Sequence, residues 1–302
     1  MTNASWFKRL FSLEMPLLRY REDRIPVTMF SLFFIADLAV YLMATSWWVP
    51  VLWFVAGMVP KGWVCAWHHH HQHVNMFKSP FLNRILEQGF ALQTGVTTNA
   101  WVLHHNLGHH INYLDQTKDE SGWVNPDGSI MTAGEYTWKN TLLAYPRVWR
   151  VGSRYPAHRR VFFWGSVATL LVVGALVEHN PYNAMFVYML PMLVSLVGTI
   201  WVTFFHHANL PTDNALVASY NTVDPMYNFF TGNLGYHTAH HYRQAVHWSK
   251  LPQLHAELQD GIPETTYRPV GFPFNLIPEG LKSAPRHARY IKSKAPVVPV
   301  HS

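Results

Sequence analysis

The sequence predicts an all-α integral membrane protein: two transmembrane helical hairpins, four spans in all, beneath a cytoplasmic helical cap that holds a histidine-rich dimetal site. Three observations predict it. Only 13% of the 302 residues are charged, against about a quarter in soluble domains. Four stretches approach the ~20 mainly apolar residues that crossing a bilayer takes. The chain holds 20 histidines, and many cluster just beyond those stretches.

The elements follow in order. Residues 1–26 mix apolar and basic residues without a continuous apolar run, so they read as an amphipathic cytoplasmic segment and not as a signal peptide. Residues 27–45 form the first span. After the turn Ser46, Trp47, Trp48, residues 49–67 form the second, broken only by Lys61 near its end. Residues 85–103 are moderately apolar but interrupted by Glu87, Gln88, Gln93, Thr97, Thr98 and Asn99. They predict one helix lying in the interface or dipping into it. Residues 161–177 and 184–205 form the second hairpin across a turn at 178–182. Residues 27–260 make the four-span domain. Residues 261–302, rich in Pro and basic side chains, make a cytoplasmic tail.

Both turns lack Lys and Arg, whereas Arg19, Arg21, Arg24, Lys78 and Arg84 flank the other ends of the first hairpin. Arg147, Arg150, Arg154, Arg159 and Arg160 precede the second. The positive-inside rule then puts these ends, both termini and every histidine cluster in the cytoplasm, with Trp47, Trp48 and Tyr182 anchoring the far interface. The net charge is +6, but the basic residues sit beside apolar segments and form no long run. That fits anionic headgroups or an acidic protein and argues against nucleic acid. The single cysteine, Cys65, excludes a disulfide framework and Cys-ligated zinc or iron–sulfur sites.

The histidines carry the chemistry. His69 and His73 are four apart, and His105, His109 and His110 form a second set. His237, His240 and His241 form a third, and His206 and His207 close the fourth span. Residues three and four apart share a helix face, so each set can aim its imidazoles at one point. Neutral imidazole ligates iron, copper, nickel and zinc. Nine rings exceed one tetrahedral site, so two metals are the simplest account. His70 and His71 fall on other faces, suited to backbone carbonyls or carboxylates; His68 is spaced from Gln72, a poor ligand, and His104, like these three, reads as an ordinary residue; His247 and His255 read as ordinary surface or interface residues. Ligating rings commonly donate their second N–H to a carboxylate. Asp115, Asp119 and Glu120 are candidates for that role, and a solvated loop is the alternative. Spacing alone leaves His206 and His207 open.

The boxes H-x-x-x-H (His69, His73), H-x-x-x-H-H (His105, His109, His110) and H-x-x-H-H (His237, His240, His241) resemble those of the membrane fatty acid desaturase and alkane hydroxylase superfamily. The resemblance covers roughly residues 25–260. The stretch His73-Val-Asn-Met-Phe-Lys-Ser is similar to bacterial desaturases. The longer second box and His207-Ala-Asn-Leu look like the hydroxylase branch, which selects His207 over His206, while four spans fit desaturases better. The resemblance implies nine histidines holding two iron ions, O₂ as co-substrate, and oxidation of an unactivated C–H bond in a fatty acyl chain. It implies desaturation to an alkene, a terminal one included, or onward to an alkyne. Hydroxylation, or oxidative decarboxylation to a 1-alkene, uses the same ligands and stays open. The substrate is then a fatty acid or its CoA or acyl-carrier-protein thioester. With no haem, flavin or Cys cluster evident, electrons come from a separate donor such as ferredoxin or rubredoxin with its reductase. A metal transporter is the rival from another class. It needs ionisable residues inside the spans, where the sequence has almost none.

Overall fold

The structure, a computed structural model, describes residues 17–271. Most of the expected N-terminal segment and most of the Pro-rich tail lie outside the described residues. The helices are α1 (Arg24–Met43), α2 (Trp48–His73), α3 (Pro80–Thr94), α4 (Val102–His110), α5 (Ala133–Gly152), α6 (Pro156–His179), α7 (Leu190–His207), α8 (Pro225–Thr231), α9 (His237–Tyr242) and α10 (Leu251–Leu258). Among the described residues there is no strand, only isolated bridges such as Leu18 with Phe77.

Among the described residues, four helical stretches are long and apolar enough to cross a membrane: Arg21–Met43, Trp48–His73, Pro156–His179 and Pro181–His207. They form the two hairpins expected. The two turns meet at one end of the bundle. The Tyr182 hydroxyl donates to the Trp47 carbonyl at 3.0 Å, and the Asn183 amide donates to the carbonyls of Tyr41 and Ala44 at 2.9 and 3.0 Å. Because both hairpins turn at that end, the C-termini of α2 and α7, with their histidines, lie at the other.

Residues 85–103 correct the sequence reading: they are not one interfacial helix. α3 starts on Ser79, whose hydroxyl accepts from the Leu82 N–H, with Pro80 in the first turn. It stops at Gly95, which has φ 68°. A side chain there would be strained and would also run into the Met192 carbonyl. α3 is packed inside the bundle, against α2, α6 and α7, with Phe90 and Ala91 fully buried. The polar residues that suggested an interface find partners inside the protein. Glu87 receives Arg84 at 2.6 Å, Gln88 donates to the Thr98 hydroxyl at 3.0 Å, and Gln93 joins Lys61 and Asp37.

That last cluster accounts for the few ionisable residues of the spans. Lys61 of α2 and Asp37 of α1 pair at 2.7 Å, both side chains fully buried. Lys61 also donates to Gln93 at 2.6 Å, and the Trp53 indole donates to Asp37 at 2.6 Å. Every member has partners of the right polarity, which is the condition for a stable buried charge.

Candidate metal centre

α2 runs past its apolar stretch by two turns, which carries His69 and His73 beyond the span on one face. The second box lies on α4, which is π-helical throughout residues Val102–His110. In a π-helix the backbone bonds run from i to i+5, so residues five apart come close to register. The extra residue of this box is thereby absorbed: His110 brings its Nε2 to 2.9 Å from that of His105. The third box sits on the short helix α9. Thr238 anchors it, its N–H donating to the Asn221 carboxamide oxygen at 3.0 Å and its hydroxyl accepting from the Asn221 amide at 2.8 Å. The Ser219 hydroxyl lies 2.9 Å from the same oxygen, and Asn228 accepts from the Gly235 N–H at 2.9 Å just ahead of the helix. None of these supporting residues was legible in the sequence, since isolated Asn, Ser and Thr carry no pattern.

Four remote segments thus meet. His69, His73, His105, His110 and His240 bring one ring nitrogen each within 4.8 Å of one another, and His109, His207 and His241 form an adjacent second group. The ninth ring, His237, places Nε2 3.1 Å from that of His207 and so belongs beside the second group. The groups adjoin: His110 and His241 stack with centroids 4.1 Å apart.

The ring chemistry tests whether metal ions fit. The Nδ1 of His207 lies 2.9 Å from the Ala218 carbonyl, which only accepts, so Nδ1 carries the proton. His109 Nδ1 lies 2.8 Å from the Asp119 carboxylate and is likewise the donor. Both rings then present bare lone pairs at Nε2, 3.3 Å apart. Two lone pairs face to face repel unless a cation lies between them. Protons are poor cations here, because burial holds His105, His110, His237, His240 and His241 well below the usual imidazole range. In addition, both ring nitrogens of His241 are buried without a hydrogen-bond partner. A neutral, buried, nitrogen-rich cluster suits a divalent transition metal.

The remaining candidates go elsewhere. His70 meets the Thr231 carbonyl at 3.0 Å, His71 faces Glu87 at 3.5 Å, and His68 meets the Thr94 hydroxyl at 3.1 Å. His206 packs on His237, centroids 4.2 Å apart. Of the three acids, Asp119 touches a ring. Asp115 pairs with Lys118 at 2.9 Å, and the Glu120 carboxylate takes Arg150 and Arg147. These guanidiniums hold a buried carboxylate and brace the loop after α4. His247 and His255 are buried, not surface residues. His247 bonds Asp23 at 2.9 Å, and His255 meets the Tyr267 hydroxyl at 3.0 Å.

A cavity of about 300 Å³ opens beneath the rings. His69, His105, His207 and His237 form its roof, and apolar residues of α2, α5 and α7 form its walls. Apolar walls with a few convergent polar groups are the usual character of a ligand pocket.

Comparison with known proteins places the chain. No curated protein and no solved structure matches it. The family model for fatty acid desaturases matches residues 45–272, a stretch that includes all nine convergent histidines and the end of every span but the first, and the chain belongs to that family.

Proposed function

We propose that this protein is a membrane di-iron oxidase of fatty acyl chains that uses O₂ and desaturates its substrate to an alkene. One observation carries the reading: nine imidazoles from four remote segments converge in two adjoining groups that roof an apolar cavity. His69, His73, His105, His110 and His240 would hold one iron, and His109, His207, His237 and His241 the other. Bound there, two irons supply the O₂-derived oxidising power for an unactivated C–H bond, which no side chain has.

The protein's own residues do the rest. Asp119 fixes the tautomer and orientation of the His109 ring, and the Ala218 carbonyl does the same for His207. The walls position one methylene under the rings and exclude water, so that orientation supplies part of the rate. Arg147 is committed to Glu120 and Asn140, and Arg159 lies over Trp149. Neither guanidinium faces the cavity, so substrate capture rests on its apolar walls.

In this reading the histidine end is cytoplasmic, the membrane is a bacterial inner membrane, and electrons arrive from a ferredoxin or rubredoxin with its reductase. The substrate is a fatty acid or its CoA or acyl-carrier-protein thioester. Feeding medium- and long-chain fatty acids to the reconstituted protein with that donor, followed by mass spectrometry, tests the reading. An alkene two hydrogens lighter than the substrate is expected. A hydroxylated product without alkene, or a 1-alkene one carbon shorter, would replace desaturation by hydroxylation or decarboxylation on the same scaffold.

A further inference from the structure

The cavity beneath the histidines has one exposed side. Its α5 wall, Tyr136, Asn140, Ala144 and Val148, is buried. The lining residues that are exposed are Val59 and Gly62 on α2 and Val194 on α7. Val59 is 37% and Val194 40% exposed. All three lie well inside membrane-crossing helices, away from both ends, so what they face is lipid. On α2, Val59, Gly62, Ala66 and His69 recur at helical spacing and line the cavity. A continuous face therefore leads from the lipid to a ring of the first histidine group, and Gly62 lies seven residues, about 10 Å, from His69. A Cβ added at Gly62 meets nothing within 4 Å. No helix presses on that position, so close packing is not what requires glycine there.

We propose that the substrate reaches the centre sideways from the bilayer, through a mouth bounded by Val59, Gly62 and Val194, and that Gly62 sets the width of this mouth. This rests on the acyl-oxidase reading and narrows its substrate. The chain that enters is dissolved in the membrane, as a free fatty acid or an esterified lipid, and is not delivered as a thioester by a water-soluble carrier. An apolar chain passes from lipid to cavity with little change of environment, whereas a phosphopantetheine group crossing the same mouth would be stripped of the water that solvates its polar groups.

The test uses the full chain, iron-loaded, in lipid nanodiscs. The probes are a diazirine-bearing fatty acid dissolved in the bilayer, a phospholipid carrying the same chain, and its CoA thioester in the water. Photoadducts of the fatty acid or the phospholipid on the α2 and α7 segments around Gly62 and Val194 are expected, and the more strongly labelled of the two identifies the lipid source. Gly62→Leu and Gly62→Phe should cut adduct yield and chain consumption progressively, by about tenfold for Phe, at unchanged iron content. Should Gly62→Phe fail to fold, adduct mapping on the wild type decides alone. Wild-type labelling in Gly62→Phe, adducts confined to the histidine end, or use of the thioester alone would overturn the proposal. Labelling at the mouth with no oxidation by the donor-supplied protein would leave the lateral route standing and reject the oxidase reading instead.

Discussion

Two of the polar assemblies buried among the described residues are built on opposite principles. Around Asp37 and Lys61, every contact joins a donor to an acceptor: ammonium to carboxylate, indole to carboxylate, ammonium to carboxamide. Around the nine histidines, nitrogen faces nitrogen, at 2.8 Å between His69 and His105 and at 3.1 Å between His110 and His240. The first cluster is complete in itself and fastens α1, α2 and α3 together. The second is complete only with cations added. Burial and polarity are common to both, so hydrogen-bond complementarity is what separates a structural polar core from a ligand site.

The contrast can be broken at either end. The largest effect is expected at the histidines. His240→Ala or His109→Ala should abolish turnover and lower bound iron while the protein still inserts, measured by product formation and metal analysis. Unchanged activity would remove that ring from the ligand set. At the other cluster, Lys61→Met strands a buried carboxylate and should cost about 3–5 kcal/mol of stability, read by thermal unfolding. The double variant Asp37→Leu/Lys61→Met should recover most of that loss. Iron content per folded chain should not change in either, and a specific loss of iron would tie the two clusters together.

An intermediate effect is expected at Asp119→Asn, which keeps the shape but weakens the hold on His109. Metal affinity or activity should fall about 10- to 100-fold, measured by iron retention against a chelator. Acid should act on the metal-free protein. His104 is pushed down from its ordinary 6.5 to about 3 by burial, with Arg147 adding to it. The unfolded chain therefore takes up that proton first as pH drops. The stability His104 lends is whole above about 6.5 and is lost progressively as pH falls toward 3, and a melting-temperature series across that range checks it. The smallest effect is expected at His179→Ala, at the turn end, within about 0.5 kcal/mol by thermal unfolding and without change in iron.

Much of this was legible in the sequence, and the exceptions have physical causes. The hairpins were readable because hydropathy and turns free of Lys and Arg are local signals. The first and third boxes were readable because their spacings fit helices. The division of the second box was not, because His105 and His109 read as one helix face, whereas the π-helix sets His105 beside His110 and leaves His109 to the other group, and no local pattern announces nine residues of that geometry. The Asp37–Lys61 pair had a signal that went unused: one acid and one base, the lone charges of adjacent antiparallel spans. Glu120 illustrates the reverse case. It is close to the second box in sequence, yet its carboxylate points to Arg147 and Arg150 on α5, and proximity along the chain said nothing about direction.

The most direct test is a metal count. Protein purified from iron-replete cells without chelator should carry about two iron ions per chain, one for each histidine group, with a Mössbauer signature of nitrogen-ligated non-haem iron. Protein holding no iron, or a single ion that no loading procedure raises, would contradict the account.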